Sequence, residues 1–195
     1  MKTKSPKQSK RDQLIQTAVK LFAKHGYHAT GVDTIAAESG VTKRTLYAHF
    51  GSKEELVVAA LRQYDEAFRN EFMQRVAERA KTPRGQLLAV FDVAEQWFNQ
   101  NNFYGCMFIN AAGEYSNSDT PIRQVCSEFK RLVKGYIRAL CLKAGAKDPD
   151  RLAEELAMVF EGAIVTAHVS QNHKAAEIAK RAGRALIEKA IPQKT

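Results

Sequence analysis

Cysteine is scarce in this chain: Cys106, Cys126 and Cys141 are the only three in 195 residues, they are widely spaced, and no CxxC pair occurs. An odd count at that spacing argues against a disulfide framework and against a structural zinc. Histidine is little better placed, since His25 and His28 lie three apart and His168 and His173 five apart, without companions at metal-ligand spacing. Neither a metal nor a cofactor is expected. Long apolar runs are also missing: the basic N-terminal segment is not followed by a stretch of the length that a signal peptide or a membrane helix needs. A cytoplasmic protein without a membrane partner is expected. No Ser/His/Asp order, glycine-rich phosphate loop or useful pair of carboxylates occurs, so there is no catalytic residue to nominate and an enzyme is not expected. Period-two alternation is absent, as is any internal repeat. Helical periodicity is what remains, and the fold is expected to be all-α.

Hydrophobic residues make up 45% of the chain, ample for a packed core in one large or two small domains. Positive charge is unevenly spread. Residues 1–53 hold ten Lys/Arg against three Asp/Glu, a balance of +7, whereas residues 54–195 hold twenty against eighteen, a balance of +2. Such a gradient suits a polyanion at the N-terminal end, where each neutralised phosphate releases counterions.

That basic quarter contains the stretch Val32 to Phe50, VDTIAAESGVTKRTLYAHF. Val32, Ile35 and Ala36 recur at helical spacing, Ser39-Gly40 stops the pattern, and Val41 turns back toward a core. Thr42 stands where an N-cap belongs, and Lys43 to Phe50 contains neither Gly nor Pro. The result is a helix-turn-helix signature. On its second helix Leu46 and Phe50 share the core side, Arg44 and Ala48 fall opposite, and Thr45 and Tyr47 flank them. An outward face that is cationic, hydroxylic and aromatic fits the major groove, although a solvated basic turn would look the same in isolation.

Gly26-Tyr27, Thr30, Ile35-Ala36, Gly40-Val41-Thr42, Thr45-Leu46-Tyr47, His49-Phe50 and Ser52-Lys53 together resemble the TetR/AcrR family of bacterial transcriptional regulators. The resemblance is dense from Asp12 to Leu61 and looser beyond. It implies a three-helix DNA-binding domain at 10–53, preceded by a basic arm at 1–9 that is expected to be disordered, and a larger helical domain at 54–195 for ligand binding and dimerisation. By matching family positions, Lys43, Arg44, Thr45 and Tyr47 would touch bases or adjacent phosphates of double-stranded operator DNA. Thr42, His49 and Lys53 would fix the phosphate backbone.

Around this head, Leu14, Ile15, Ala18, Leu21 and Phe22 mark an amphipathic first helix from Lys10 to His25, which Gly26 ends in a left-handed C′ conformation. Ser52 and Glu55 form a capping box for a long helix that starts at Lys53 and links the two domains. Pro83 to about Asn101, Gly105 to Tyr115, Pro121 to Gly145, Asp148 to about Asn172 and Lys174 to Ile191 read as further helices.

In the larger domain Phe91, Trp97, Phe98, Phe103, Tyr104, Met107, Phe108, Phe129 and Tyr136 either line an apolar cavity, with Asn110, Glu114 and Gln96 as polar anchors, or form ordinary core. The resemblance implies that a pocket for a small-molecule effector exists without saying which of them border it. Glu161 interrupts the apolar run MVFEGAIVTAHV, where an unpaired carboxylate would be costly. It either binds a cationic ligand or pairs with an internal Arg or with His168. Cys106 is an electrophile or oxidant sensor if its thiolate is stabilised, and inert if it is merely buried.

Two stripes of small and apolar residues close the chain, Leu156, Val159, Ala163 and Ala167 on one helix and Ala179, Ala182 and Leu186 on the next. By resemblance they pack against the same pair from a second subunit as a homodimer; packing within one subunit is the alternative. The leading expectation is therefore a ligand-responsive repressor released from a palindromic operator by a small hydrophobic effector. An activator or a thiol-based sensor on the same fold, and a non-specific architectural DNA-binding protein, are the competing readings.

Overall fold

The computed structural model describes residues 9–192, and the part of the expected basic arm before Ser9 lies outside them. The described residues form nine α-helices and no strand, in keeping with the all-α expectation. They are α1 (Lys10–His25), α2 (Val32–Ser39), α3 (Lys43–His49), α4 (Lys53–Arg79), α5 (Pro83–Phe98), α6 (Met107–Glu114), α7 (Pro121–Lys143), α8 (Pro149–Val169) and α9 (Ala175–Ala190).

Local chemistry sets most of the helix starts. Ser9, Thr42, Thr82 and Asp148 each accept a first-turn amide through the side chain, and Pro83 and Pro149 occupy the first turn, where no N–H partner is needed. The box before α4 is offset by one residue from the expected one: Ser52 Oγ accepts the Glu55 N–H at 3.2 Å, but Glu55 Oε2 accepts the N–H of Gly51, at 2.9 Å, instead of that of Ser52. Gly26 has the expected positive φ of 82° but an extended ψ of 171°, so it ends α1 without forming a left-handed turn.

The chain folds into two compact units. One comprises the described part of Met1–Glu66 together with Met107–Cys126. In it α1, α2 and α3 pack on one another over Leu14, Phe22, Ile35 and Leu46, all essentially without solvent exposure. Gly40 takes the left-handed conformation at φ 66° and ψ 20°, donates to Ala36 and Ala37, and lets Val41 return to the core. Thr30, the buried polar side chain of this core, donates from Oγ1 to the Gly26 carbonyl at 2.6 Å and so ties the α1–α2 loop to the end of α1.

The other unit comprises Ala67–Cys106 and the described part of Ser127–Thr195. Its tightest packing is α8 on α9, followed by α5 on α9. Gly183 makes the α5–α9 approach possible, because a Cβ there would lie 2.7 Å from Phe91 Cε2 and 3.4 Å from Leu156 Cδ2. Beside it Lys180 of α9 reaches Asp92 of α5 at 2.5 Å.

Candidate nucleic-acid interface and ligand cavity

Leu46 and Phe50 anchor α3 to the core, which leaves the opposite side in water. Thr42, Lys43, Arg44, Tyr47, Ala48 and His49 are exposed, and Thr45 is half-buried. Tyr47 is 45% exposed. Thr42 Oγ1 accepts the Thr45 N–H at 3.2 Å and lies 2.9 Å from Thr45 Oγ1, so the first turn is fixed by its own hydroxyls. Lys43 meets Asp33 of α2 at 2.9 Å, and that carboxylate holds its ammonium above the ordinary lysine range. Lys53, at the start of α4, donates to the His28 carbonyl at 3.4 Å. All seven residues expected at DNA thus belong to one compact unit, five of them exposed and Thr45 and Lys53 half-buried.

The residues expected at a ligand divide between the units. Met107, Phe108, Asn110 and Glu114 fall in the first, with Met107 and Phe108 buried in its core. Tyr64 of α4 lies against Phe108 at 6.0 Å between ring centroids. The Glu114 carboxylate is engaged within this unit: its Oε1 accepts the Tyr27 N–H at 2.8 Å, and its Oε2 accepts the His28 N–H at 2.6 Å and meets His28 Nδ1 at 3.0 Å. Partial burial pushes the Glu114 carboxyl up, but the two amides and the His28 ring outweigh it and hold the carboxyl below the ordinary range. Beneath this clamp Tyr27 is fully buried, stacks on Phe22 and donates its hydroxyl to the Met107 carbonyl at 3.0 Å. Nearby, burial and the charges of Glu54 and Glu114 push Tyr115 up to about 12.

Within the second unit lies a cavity of about 30 Å³, room for about one water molecule. Phe68 and Phe72 of α4, Trp97 of α5, Phe129 and Tyr136 of α7 and Phe160 of α8 line it. The five rings other than Tyr136 form one cluster, with Phe68 stacked on Phe72 at 5.6 Å, 4.9 Å from Trp97 and 6.3 Å from Phe129, and Phe72 5.7 Å from Phe160. Arg69, Lys130 and Glu161 supply the charged lining, and Cys106 is also in the wall. Glu161 meets Lys130 of α7 at 3.2 Å, a partner that was not among those expected. His168 instead stands against Gly105, where a Cβ would come within 2.6 Å of its Nδ1.

Of the expected ligand residues, then, Trp97, Phe129, Tyr136 and Glu161 reach the cavity. Phe91 and Phe98 are buried in the core, and Phe103 packs on Trp97 and His168. Phe68, Phe72 and Phe160 were missed. The four-residue spacing of Phe68 and Phe72 was visible, but it read only as the inner face of a linking helix.

The residues expected at a dimer interface divide as well. Leu156, Ala163, Ala167 and Ala179 are buried inside the protomer, where α8 packs on α9, because a 3.6-residue period marks an apolar face without saying what covers it. Val159 and Leu186 are half-buried and Ala182 is exposed. Large apolar side chains in water lie elsewhere on these helices: Met158, Val165 and Val169 on α8 and Ile178 on α9. Val159, Gly162, Ala163, Thr166, Ala179 and Ala182 join Ile178 in lining a shallow groove between these helices, so two of the small stripe residues border it.

Among the described residues no helix is long and apolar enough to cross a membrane. A helix-turn-helix with an exposed cationic second helix, followed in the chain by a helical unit around an aromatic cavity, defines a DNA-binding regulator. The family model for bacterial regulatory proteins of the tetR family matches residues 14–60, and that for the tetracyclin repressor-like C-terminal domain matches residues 83–183. The chain belongs to the TetR family of DNA-binding transcriptional regulators, which are not enzymes.

It is 27% identical over 168 residues to the HTH-type transcriptional regulator LmrA of Bacillus subtilis, covering 83% of this chain and 88% of that protein. A crystal structure of a TetR-family regulator from Streptomyces coelicolor superposes with a TM-score of 0.86 at 26% identity, over 94% of this chain and 96% of that one. One from Streptomyces avermitilis gives 0.84 at 30% identity, over 94% and 98%.

Proposed function

We propose that the protein is a ligand-responsive repressor that grips a pseudo-palindromic operator as a homodimer and lets go when a small hydrophobic effector occupies the aromatic cavity. The observation that carries this reading is the coexistence, in one chain, of an exposed cationic α3 on a packed helix-turn-helix and a charged-rimmed aromatic cavity that is almost closed. Residues 10–53 act as the reading head and residues 54–195 as the effector and dimer part, although 54–66 and 107–126 fold with the head.

Arg44 reads base edges with Thr45 and Tyr47, because a guanidinium on the outward face of a groove-sized helix can bond guanine N7 and O6 together. Lys43 joins them once DNA phosphate displaces Asp33. Thr42, His49 and Lys53 hold the backbone, whose contacts set register without reading sequence. The dimer face is the exposed apolar strip Met158, Val165, Val169 and Ile178, with Val159 and Ala182 beside it, in place of the buried small-residue stripes. Two copies then present two α3 helices to successive major grooves.

For release, the effector must bind the conformation that cannot hold the operator better than the one that can, since equal affinity shifts nothing. An effector of ordinary size must push the Phe68, Phe72 and Trp97 rings apart to enter a space of about 30 Å³, and this is the differential interaction that shifts the balance. Selection of random duplexes with the purified protein, followed by transcription in vitro from a promoter overlapping the selected site, tests the reading. The protein is expected to lower transcript yield and a cavity ligand to restore it. A rise in transcript on adding protein would make it an activator.

A further inference from the structure

Resting on the effector-cavity reading, we infer that the effector is an aromatic acid: a flat ring system seated among the aromatic side chains, with its anionic group on Lys130 in place of Glu161. The ring preference follows from the wall. Phe68, Phe72, Trp97, Phe129, Tyr136 and Phe160 surround one small space, and offset or edge-on ring contacts add to the burial of apolar area.

The sign of the charge follows from an asymmetry within the Lys130–Glu161 ion pair of the lining. Lys130 and Glu161 are 3.2 Å apart, but the Lys130 side chain is 26% exposed and that of Glu161 is 40% exposed. A ligand anion that takes Lys130 sends Glu161 outward to water, the group better able to go. A ligand cation that takes Glu161 instead leaves the more buried ammonium without its counter-ion. Loss of a partner is costlier for the less hydrated charge. Lys130 also lies 5.9 Å from the Phe129 ring centroid, so the ammonium already sits where aromatic face and anion can be held together.

Calorimetric titration of the full chain with three ligands of one shape, 2-naphthoate, 2-naphthamide and 2-naphthylmethylammonium, tests this inference. The emission of Trp97, the single tryptophan of the chain, reports whether each enters the cavity. Naphthoate is expected to bind about tenfold more tightly than the ammonium compound, with the amide between. Lys130→Gln should bring naphthoate down to the affinity of the amide and leave the amide within about twofold. Glu161→Gln should tighten naphthoate by freeing Lys130. Ammonium binding equal to or tighter than naphthoate, or an unchanged ratio of naphthoate to amide in Lys130→Gln, overturns the acid class while the cavity reading stands. If none of the three binds or changes Trp97 emission, the cavity reading falls and the inference with it.

Discussion

The Glu114 carboxylate accepts the backbone N–H of Tyr27 at 2.8 Å, and its second oxygen takes the next amide, that of His28, at 2.6 Å. One side chain of α6 therefore fixes the loop between the first two helices of the reading head. Glu114→Gln retains a single carbonyl acceptor for two donors in a half-exposed site, so it should lower stability by about 1 kcal/mol. Chemical denaturation checks this. Operator affinity should fall with it, equally on selected and random duplexes, because the loop orients the head and touches no base.

The same contact makes a pH prediction. The carboxyl of Glu114 is held below its ordinary value of 4.5 in the folded protein. A depressed folded value means that the stabilisation is complete above the unfolded value and is lost as pH falls through the folded one. The stability gap between wild type and Glu114→Gln should hold from neutral pH down to about 4.5 and close below it. A gap that widened on acidification would contradict the clamp.

Two glycines separate backbone strain from crowding. Gly40 has a φ of 66° with nothing near a new Cβ, so Gly40→Ala should cost about 1 kcal/mol, and Gly40→Asn less, because Asn tolerates that conformation. Gly183 has ordinary helical backbone, but its Cβ would meet the Phe91 ring at 2.7 Å. Gly183→Ala should cost about 1 to 3 kcal/mol through forced repacking, and Phe91→Leu should recover part of that loss. Thermal unfolding of both variants and the double mutant distinguishes the two causes.

All three cysteines are buried, and burial pushes the Cys141 thiol up to about 11. Maleimide should label the native protein slowly at neutral pH, with Cys141 last, and the unfolded protein at once. Rapid modification of Cys106 that also weakens operator binding would favour the thiol-sensor reading over a reversible effector.

Local signals were the legible ones. Thr42, Thr82 and Asp148 cap helices through bonds that span three residues, and Gly40 breaks the pattern between α2 and α3, so each could be read in place, whereas Ser9, which caps α1 in the same way, was read as part of the arm. Glu114 could not: it acts on Tyr27, 87 positions away, and in the sequence it is one carboxylate near the end of an apolar helix. Likewise Glu161 announced a cost without naming Lys130 as its answer. The dimer stripes were ambiguous for a different reason. Helices α8 and α9 carry apolar residues on more than one side, and periodicity cannot tell the side that meets a neighbour in the same protomer from the side left in water.

The exposed strip should govern assembly. Met158→Glu together with Val169→Glu should shift a dimer to monomer in sedimentation velocity while leaving the helical content unchanged, whereas Leu156→Glu should damage the fold itself, since Leu156 is buried against Gly183 inside the protomer.

Anisotropy titration of a selected duplex and a random one, across a range of salt, bears most directly on how this protein reads DNA. Two protomers should bind each selected duplex. Arg44→Ala should lose about 1 to 3 kcal/mol on that duplex and much less on the random one, while Lys53→Ala should weaken both alike and flatten the salt dependence. One protomer per duplex, or equal losses on both duplexes for both variants, would contradict a paired, sequence-reading α3.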